Sequence, residues 1–259
     1  MDTIQAVLER IRSGITQSQN VNSQKKKEEE QQKNYCSICD NVGFIPVVDN
    51  EGHTRYRPCK CREMLKVQKI WEQSGISVND IDKSFANFEA WNNEIRAMKD
   101  KATSYYLQYS KIKADRCNSI MLCGNPGCGK THLALALANN LLKNKGVPVV
   151  YMPYRDVITK IKQNMVDEEY YKKTLSKYQN AEVLLIDDLF KGKVNDTDIN
   201  IMFELINHRY LNRLPMIIST EFTVDKLLSF DEAIGSRLYE MAKSYVVQIE
   251  GIKNNYRMR

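Results

Sequence analysis

Gly124-Asn125-Pro126-Gly127-Cys128-Gly129-Lys130-Thr131 fits the spacing G-x-x-x-x-G-K-[ST]. Glycines so placed let the backbone curl until successive N–H groups converge on phosphate oxygens. The apolar run Ser119-Ile120-Met121-Leu122-Cys123 precedes the loop, and Thr131-His132-Leu133-Ala134-Leu135-Ala136-Leu137-Ala138 follows with helical character. A buried strand, a glycine loop and a helix N-terminus are the context in which the pattern binds phosphate, because the helix adds the positive end of its dipole. Lys130 then reaches the β- and γ-phosphates of a nucleotide, and the Thr131 hydroxyl ligates Mg²⁺. His132 continues the binding turn. As lone histidines without a nucleophile at triad-like spacing, His132 and His208 otherwise read as core or surface residues.

A second set of residues answers the first. Glu182-Val183-Leu184-Leu185-Ile186-Asp187-Asp188 is a buried strand ending in two acids. Strands commonly end in an Asp that caps a turn, but behind a phosphate loop this reads as the Walker B strand. Asp187 is assigned to Mg²⁺ and Asp188 to activation of the attacking water.

Cys36-Ser37-Ile38-Cys39 and Cys59-Lys60-Cys61 supply four thiols in two close pairs. Tetrahedral Zn²⁺ suits such pairs, since each closes a small chelate turn. The second pair is C-x-C rather than C-x-x-C, and His53 is an alternative ligand. Four cysteines make a closed shell, which is structural rather than catalytic. Cys117, Cys123 and Cys128 read as small buried or loop residues, with Cys128 open to oxidation if the loop's backbone donors favour its thiolate.

The elements that must position these groups follow from periodicity and breakers. Residues 2–15 place Ile4, Val7, Leu8, Ile11 and Ile15 on one helical face. From Gln17 to Lys33 the chain is polar, with Lys25-Lys26-Lys27-Glu28-Glu29-Glu30 at its centre, and reads as a solvated connector. Gly43–Val48 and Thr54–Arg57 flank Asp49-Asn50-Glu51-Gly52, a hairpin signal. A helix from Arg62 to Gln73 stops at Gly75, an irregular stretch pinned by Phe85 and Phe88 follows, and a second helix runs from Asn93 to Lys113. Beyond Ser119, apolar runs at 119–123, 148–153, 182–186, 215–220 and 245–250 alternate with helical stretches. That alternation predicts an α/β fold with a parallel sheet that binds ligand at the strand C-terminal ends.

At 259 residues, 42% hydrophobic and 27% charged, the chain suits one large domain or two smaller ones. Seven unevenly placed cysteines are poor disulfide arithmetic, and neither a signal peptide nor a membrane-spanning run is visible, so a cytoplasmic, reduced protein with no membrane partner is expected. The net charge of +6 permits a polyanionic partner without requiring one. Between Arg155 and Tyr178 lie Lys160, Lys162, Lys172, Lys173 and Lys177 with Tyr170, Tyr171 and Tyr178. Basic residues interleaved with aromatics suit single-stranded nucleic acid. With Asp167, Glu168 and Glu169 diluting the charge, an ordinary solvated helix pair explains them equally well.

GNPGCGKTHLA, LLIDDL, INHRY at 206–210, LPMIISTEF at 214–222 and IGSRL at 234–238 occur in an order that resembles the DnaC/DnaI-type replicative helicase loaders of the AAA+ superfamily. The likeness covers most of 76–259, and the cysteine module resembles the zinc-binding domain of the Gram-positive loaders. It implies a P-loop AAA+ core with a five-stranded parallel sheet flanked by helices over 76–259, preceded by a small zinc-binding, helicase-interaction domain over 1–75. It further implies an ATPase using ATP, Mg²⁺ and Zn²⁺, self-assembly through the AAA+ interface, and Arg237 as an arginine finger acting in trans. The implied partners are a hexameric, DnaB-like replicative helicase and single-stranded DNA, the latter facing the 155–178 excursion. Two positions depart from the family pattern. Glu221 replaces the usual Asn after the fourth strand, leaving Thr220 as the γ-phosphate sensor, and Asp188 replaces the Glu of faster motors. The remaining length after 245–250 leaves no room for a full helical lid. A transposition helper ATPase of the IstB-like type, a P-loop phosphotransferase and a zinc module with a degenerate nucleotide site are the alternative functions.

Overall fold

The computed structural model describes residues 36–40, 42–48 and 53–258. The amino-terminal helix, the polar connector and the Asp49–Gly52 turn expected from sequence lie outside them. The chain divides into two compact units between Glu72 and Gln73. Among the described residues no helix is long and apolar enough to cross a membrane.

In the first unit β1 (Phe44–Val48) pairs antiparallel with β2 (Thr54–Pro58), Phe44 opposite Pro58 and Val48 opposite Thr54. Helix α1 (Lys60–Ser74) follows and ends where Gly75 turns left-handed at φ +74°. Nearly every strand residue is exposed, whereas Cys39 and Cys59 are buried. A two-stranded hairpin whose residues are nearly all exposed is marginal alone.

The second unit is a parallel sheet in the order β4-β5-β6-β3-β7, built from β3 (Ile120–Gly124), β4 (Val149–Pro153), β5 (Val183–Leu189), β6 (Met216–Thr220) and β7 (Val246–Ile249). β3 and β6 are buried throughout, which is why they read as unbroken apolar runs rather than alternating ones. The order matters for chemistry. β6 lies between the strand that feeds the phosphate loop and the strand that carries Asp187, so its tip meets both.

Helices pack around the sheet. α2 (Asn93–Ile112) starts with Asn92 accepting from Ile95 N and buries Ile95, Met98, Ala102, Tyr105 and Tyr109, a stripe at helical spacing. α3 (Lys130–Lys145) is buried from Leu133 to Asn139 and ends on left-handed Gly146. The Arg155–Tyr178 excursion forms α4 (Tyr154–Gln163) and α5 (Glu168–Gln179), with the exposed Met165 and Val166 between them. α6 (Asp196–Leu211) opens with a reciprocal capping box between Asn195 and Asp198. α7 (Val224–Phe230) and α8 (Glu232–Ala242) lead back to β7. Arg209, in the stretch INHRY, is fully buried and donates to the carbonyls of Tyr178, Gln179, Ala181 and Pro215, tying the end of α5 to the starts of β5 and β6.

Candidate functional site: the phosphate loop and the strand tips

β3 delivers the chain to a loop whose glycines are required by geometry. Gly127 (φ +80°) has no room for a side chain, because a Cβ there would stand 2.0 Å from Asn255 Oδ1. Gly129 caps α3 at φ +91°, and a Cβ would strike the Phe88 ring at 2.7 Å. Only glycine meets both demands. Lys130 is buried, and its ammonium donates to Gly124 O (2.7 Å) and Asn125 O (2.9 Å), with Cys128 Sγ at 3.8 Å. The loop's own carbonyls thus hold a compact positive charge inside it.

Thr131 and Asp187, assigned to one cation from sequence, are in direct contact: the Thr131 hydroxyl donates to Asp187 Oδ1 at 2.9 Å. Asp187 is 6% exposed. Burial pushes its carboxyl pKa up, and hydrogen bonds from Ser219, Thr131 and Tyr151 oppose the shift. A hydroxyl beside a buried carboxylate is a hard oxygen pair of the kind Mg²⁺ takes, and a cation there would offset the cost of the buried charge.

A bulge in β5 between Ile186 and Leu189 sets Asp187 and Asp188 against the single residue Ser219. The Ser219 hydroxyl serves both acids, donating to Asp187 and accepting from the Asp188 N–H at 2.8 Å. Asp188 is left-handed (φ +57°), and its carboxylate meets Lys191 Nζ at 2.8 Å. Lys191 also lies 3.2 Å from Glu221.

Of these groups Lys130, Thr131, Asp188, Lys191 and Glu221 line a cavity of about 450 Å³ together with Pro126, Gly127, Gly129 and His132, a volume that suits a nucleotide-sized ligand. His132 is half-buried, with its ring edge-on to Phe88 at 5.3 Å, and burial lowers its pKa. Among the expected residues, Gly124, Asn125, Cys128, Asp187, Thr220 and Arg237 are not part of its lining. Cys128 is fully buried. The hydroxyl of Thr220 donates to Leu189 O and accepts from Phe222 N, and Glu221 is the neighbour that faces the cavity. Arg237 is outside this cavity, on α8, where Asn207 Oδ1 (3.0 Å) and Ala233 O (2.6 Å) hold its guanidinium beside the Phe203 and Tyr210 rings. Cys123 is buried in β3.

Sequence reasoning missed Ser219, Tyr151 and Lys191. It also missed Tyr256 and Arg257, which reach the cavity because Tyr256 N donates to Gly127 O and the Tyr256 ring meets Trp91 at 5.3 Å. No local pattern marks that end of the chain as part of a loop centred on residue 127.

In the first unit the Sγ atoms of Cys36, Cys39, Cys59 and Cys61 all lie within 4.8 Å of one another. Cys36–Cys59 is 3.8 Å and Cys39–Cys61 is 3.3 Å. Thiolates around tetrahedral zinc at about 2.3 Å stand about 3.8 Å apart, so the set fits that ion with little adjustment. The Gly43 N–H donates to Cys39 Sγ, an outer-shell bond of the kind metal thiolates receive. Burial pushes the Cys61 thiol up to about 12, a cost that binding a cation would remove, while Cys36, bonded by the Ile38 backbone, falls to about 7. His53 is exposed and is not among the clustered ligands.

The phage-like element PBSX protein XkdC of Bacillus subtilis (strain 168) is 35% identical over 257 residues, 96% of this chain and 94% of that protein. The uncharacterized protein YqaM of the same strain is 38% identical over 205 residues, 76% of this chain and 64% of that relative's length. The crystal structure of the DnaC helicase loader matches 67% of this chain and 99% of its own, with a TM-score of 0.60 at 22% identity, and so shares its α/β fold. A family model described as IstB-like ATP binding protein spans residues 18–259. By that match, which spans most of its length, the chain belongs to the IstB-like ATP-binding protein family.

Proposed function

We propose that this chain is an ATP-hydrolysing helicase loader, which binds a hexameric replicative helicase and delivers it onto single-stranded DNA. The observation that carries the nucleotide half is the Thr131–Asp187 contact at 2.9 Å beside Lys130 in its glycine cradle. Lys130 would neutralise the β- and γ-phosphates, while Thr131 and Asp187 would hold Mg²⁺, which supplies further charge neutralisation. Asp188, aimed by the bulge and Ser219, would orient water. Arg237, held away from its own cavity by Asn207 and Ala233, would complete a neighbouring copy's site, so that hydrolysis depends on assembly. The loader half is supported by the likeness to the DnaC helicase loader and by the cysteine module over residues 1–75, which would bind Zn²⁺ and grip the helicase. α4 and α5 would face the DNA.

A second reading is a transposition helper ATPase of the IstB-like type, which would act with a transposase on duplex DNA; the family that matches is described as IstB-like ATP binding protein. One measurement separates them: the mass of complexes formed with the cognate replicative helicase, with and without Mg·ATP. A loader forms a complex of defined stoichiometry that changes with nucleotide. If no complex forms in either condition, the loader reading is wrong.

A further inference from the structure

The cavity wall carries a second ammonium besides that of Lys130. Lys191 lies in a tight turn closed by its own N–H on Asp188 O at 3.0 Å, which folds the side chain back over the strand tips. Its Nζ stands 2.8 Å from Asp188 Oδ2 and 3.2 Å from Glu221 Oε1, so two carboxylates share one cation.

The backbone of this turn has little freedom. Phe190 inside it is left-handed (φ +59°) yet buried, packed among the rings of Tyr154, Phe222 and Phe230. Beyond it, Gly192 is left-handed at φ +91°. The Lys191 side chain is different: it is 43% exposed. An ion pair that open to water contributes little, so exchanging one partner for another costs little. A terminal phosphate offers more negative charge and more acceptor oxygens than either carboxylate. It would enter the cavity that Lys130, Thr131, Asp188, Lys191 and Glu221 all line.

We propose that Lys191 is the residue by which this chain distinguishes a nucleoside triphosphate from a diphosphate: it gives up the Asp188 carboxylate for the γ-phosphate, with Glu221 keeping it at the strand tips in between. The exchange also frees Asp188, whose oxygen is otherwise engaged by the ammonium, to accept from water. The assignment rests on the ATP reading of the site.

The test is calorimetric titration of the full chain with Mg·AMPPCP and Mg·ADP, comparing wild type, Lys191→Met, Lys191→Arg and Lys130→Ala. Lys191→Met should weaken AMPPCP binding by about tenfold or more, the worth of one hydrogen bond to a charged group. It should leave ADP affinity and the melting temperature unchanged, and Lys191→Arg should recover most of the loss. Equal losses for both nucleotides would reduce the lysine to a prop for its turn. Wild-type affinity for both would make it a surface ion pair, and either result overturns the proposal. The ATP reading fails separately: Lys130→Ala should lose both nucleotides, and if it binds them as wild type does, the phosphate loop itself has been misassigned.

Discussion

Replacing Ser219 with alanine removes one buried hydroxyl that serves both acids of the site. Ser219 is fully buried, donates to the Asp187 carboxylate and accepts from the Asp188 N–H. A hydrogen bond to a charged group contributes about 1.5–3 kcal/mol, and an orphaned, partly buried N–H costs about 1–3 kcal/mol. The two terms overlap because the cavity lets water reach Asp188, so about 3 kcal/mol is the combined estimate. In a unit of this size each kcal/mol lowers the melting temperature by roughly 2–4 °C, giving a drop of roughly 6–12 °C. Function should suffer in parallel. The Asp187 carboxyl loses the largest of the bonds that oppose its burial, so its affinity for Mg²⁺ falls at neutral pH, and Asp188 loses the anchor of its left-handed backbone. Calorimetric melting of the metal-free protein, followed by Mg·ATP titration, reads both effects. Ser219→Thr keeps the hydroxyl and separates its loss from a change of volume. An alanine variant that melts within about 2 °C of wild type and keeps its Mg·ATP affinity would refute the reasoning, because it would show that the hydroxyl contributes to neither acid.

The pH response of the same site has a definite sign. Asp187 has a folded pKa raised above its unfolded value, so its contribution to stability is complete below the unfolded pKa and is lost as pH rises through the folded one. In metal-free protein, Asp187→Asn should therefore melt higher than wild type at pH 7.5 and level with it below about pH 4, and saturating Mg·ATP should reverse the order at pH 7.5. An asparagine variant that melts lower at every pH without metal would contradict the assignment of burial as the dominant effect. In the first unit, Cys59→Ser or a strong chelator should release one equivalent of zinc and unfold the β1–β2 hairpin, while ATP binding by the second unit persists. Protein purified without stoichiometric zinc, yet showing the same hairpin structure, would contradict the metal site.

The sequence disclosed the parts of this site whose signals are local. The phosphate loop is fixed by glycine spacing, and Asp187 and Asp188 by the end of an apolar run. The cysteine pairs lie near in sequence as well as in space. What it could not disclose is set by strand order and register. Thr220 and Ser219 are adjacent hydroxyls at the end of one apolar strand, and nothing local says which of them serves the site. The answer comes from β5, where the bulge places two residues opposite Ser219 and puts Leu189 opposite Thr220, so that Thr220 is engaged by the Leu189 carbonyl. Arg209 was invisible for a similar reason. On a helix pattern it reads as an exposed cation, yet four carbonyls, from the end of α5 and the loops before β5 and β6, converge on it. A charge can be buried without an acid when enough backbone acceptors are aimed at it. Lys191 joins both lessons. Three residues after Asp188 it looks like ordinary surface charge, and only the turn around buried Phe190 brings its ammonium back between Asp188 and Glu221. Chemistry contributed by backbone handedness and strand order is therefore the part that a single sequence hides, and in this chain it surrounds the acid that would handle water.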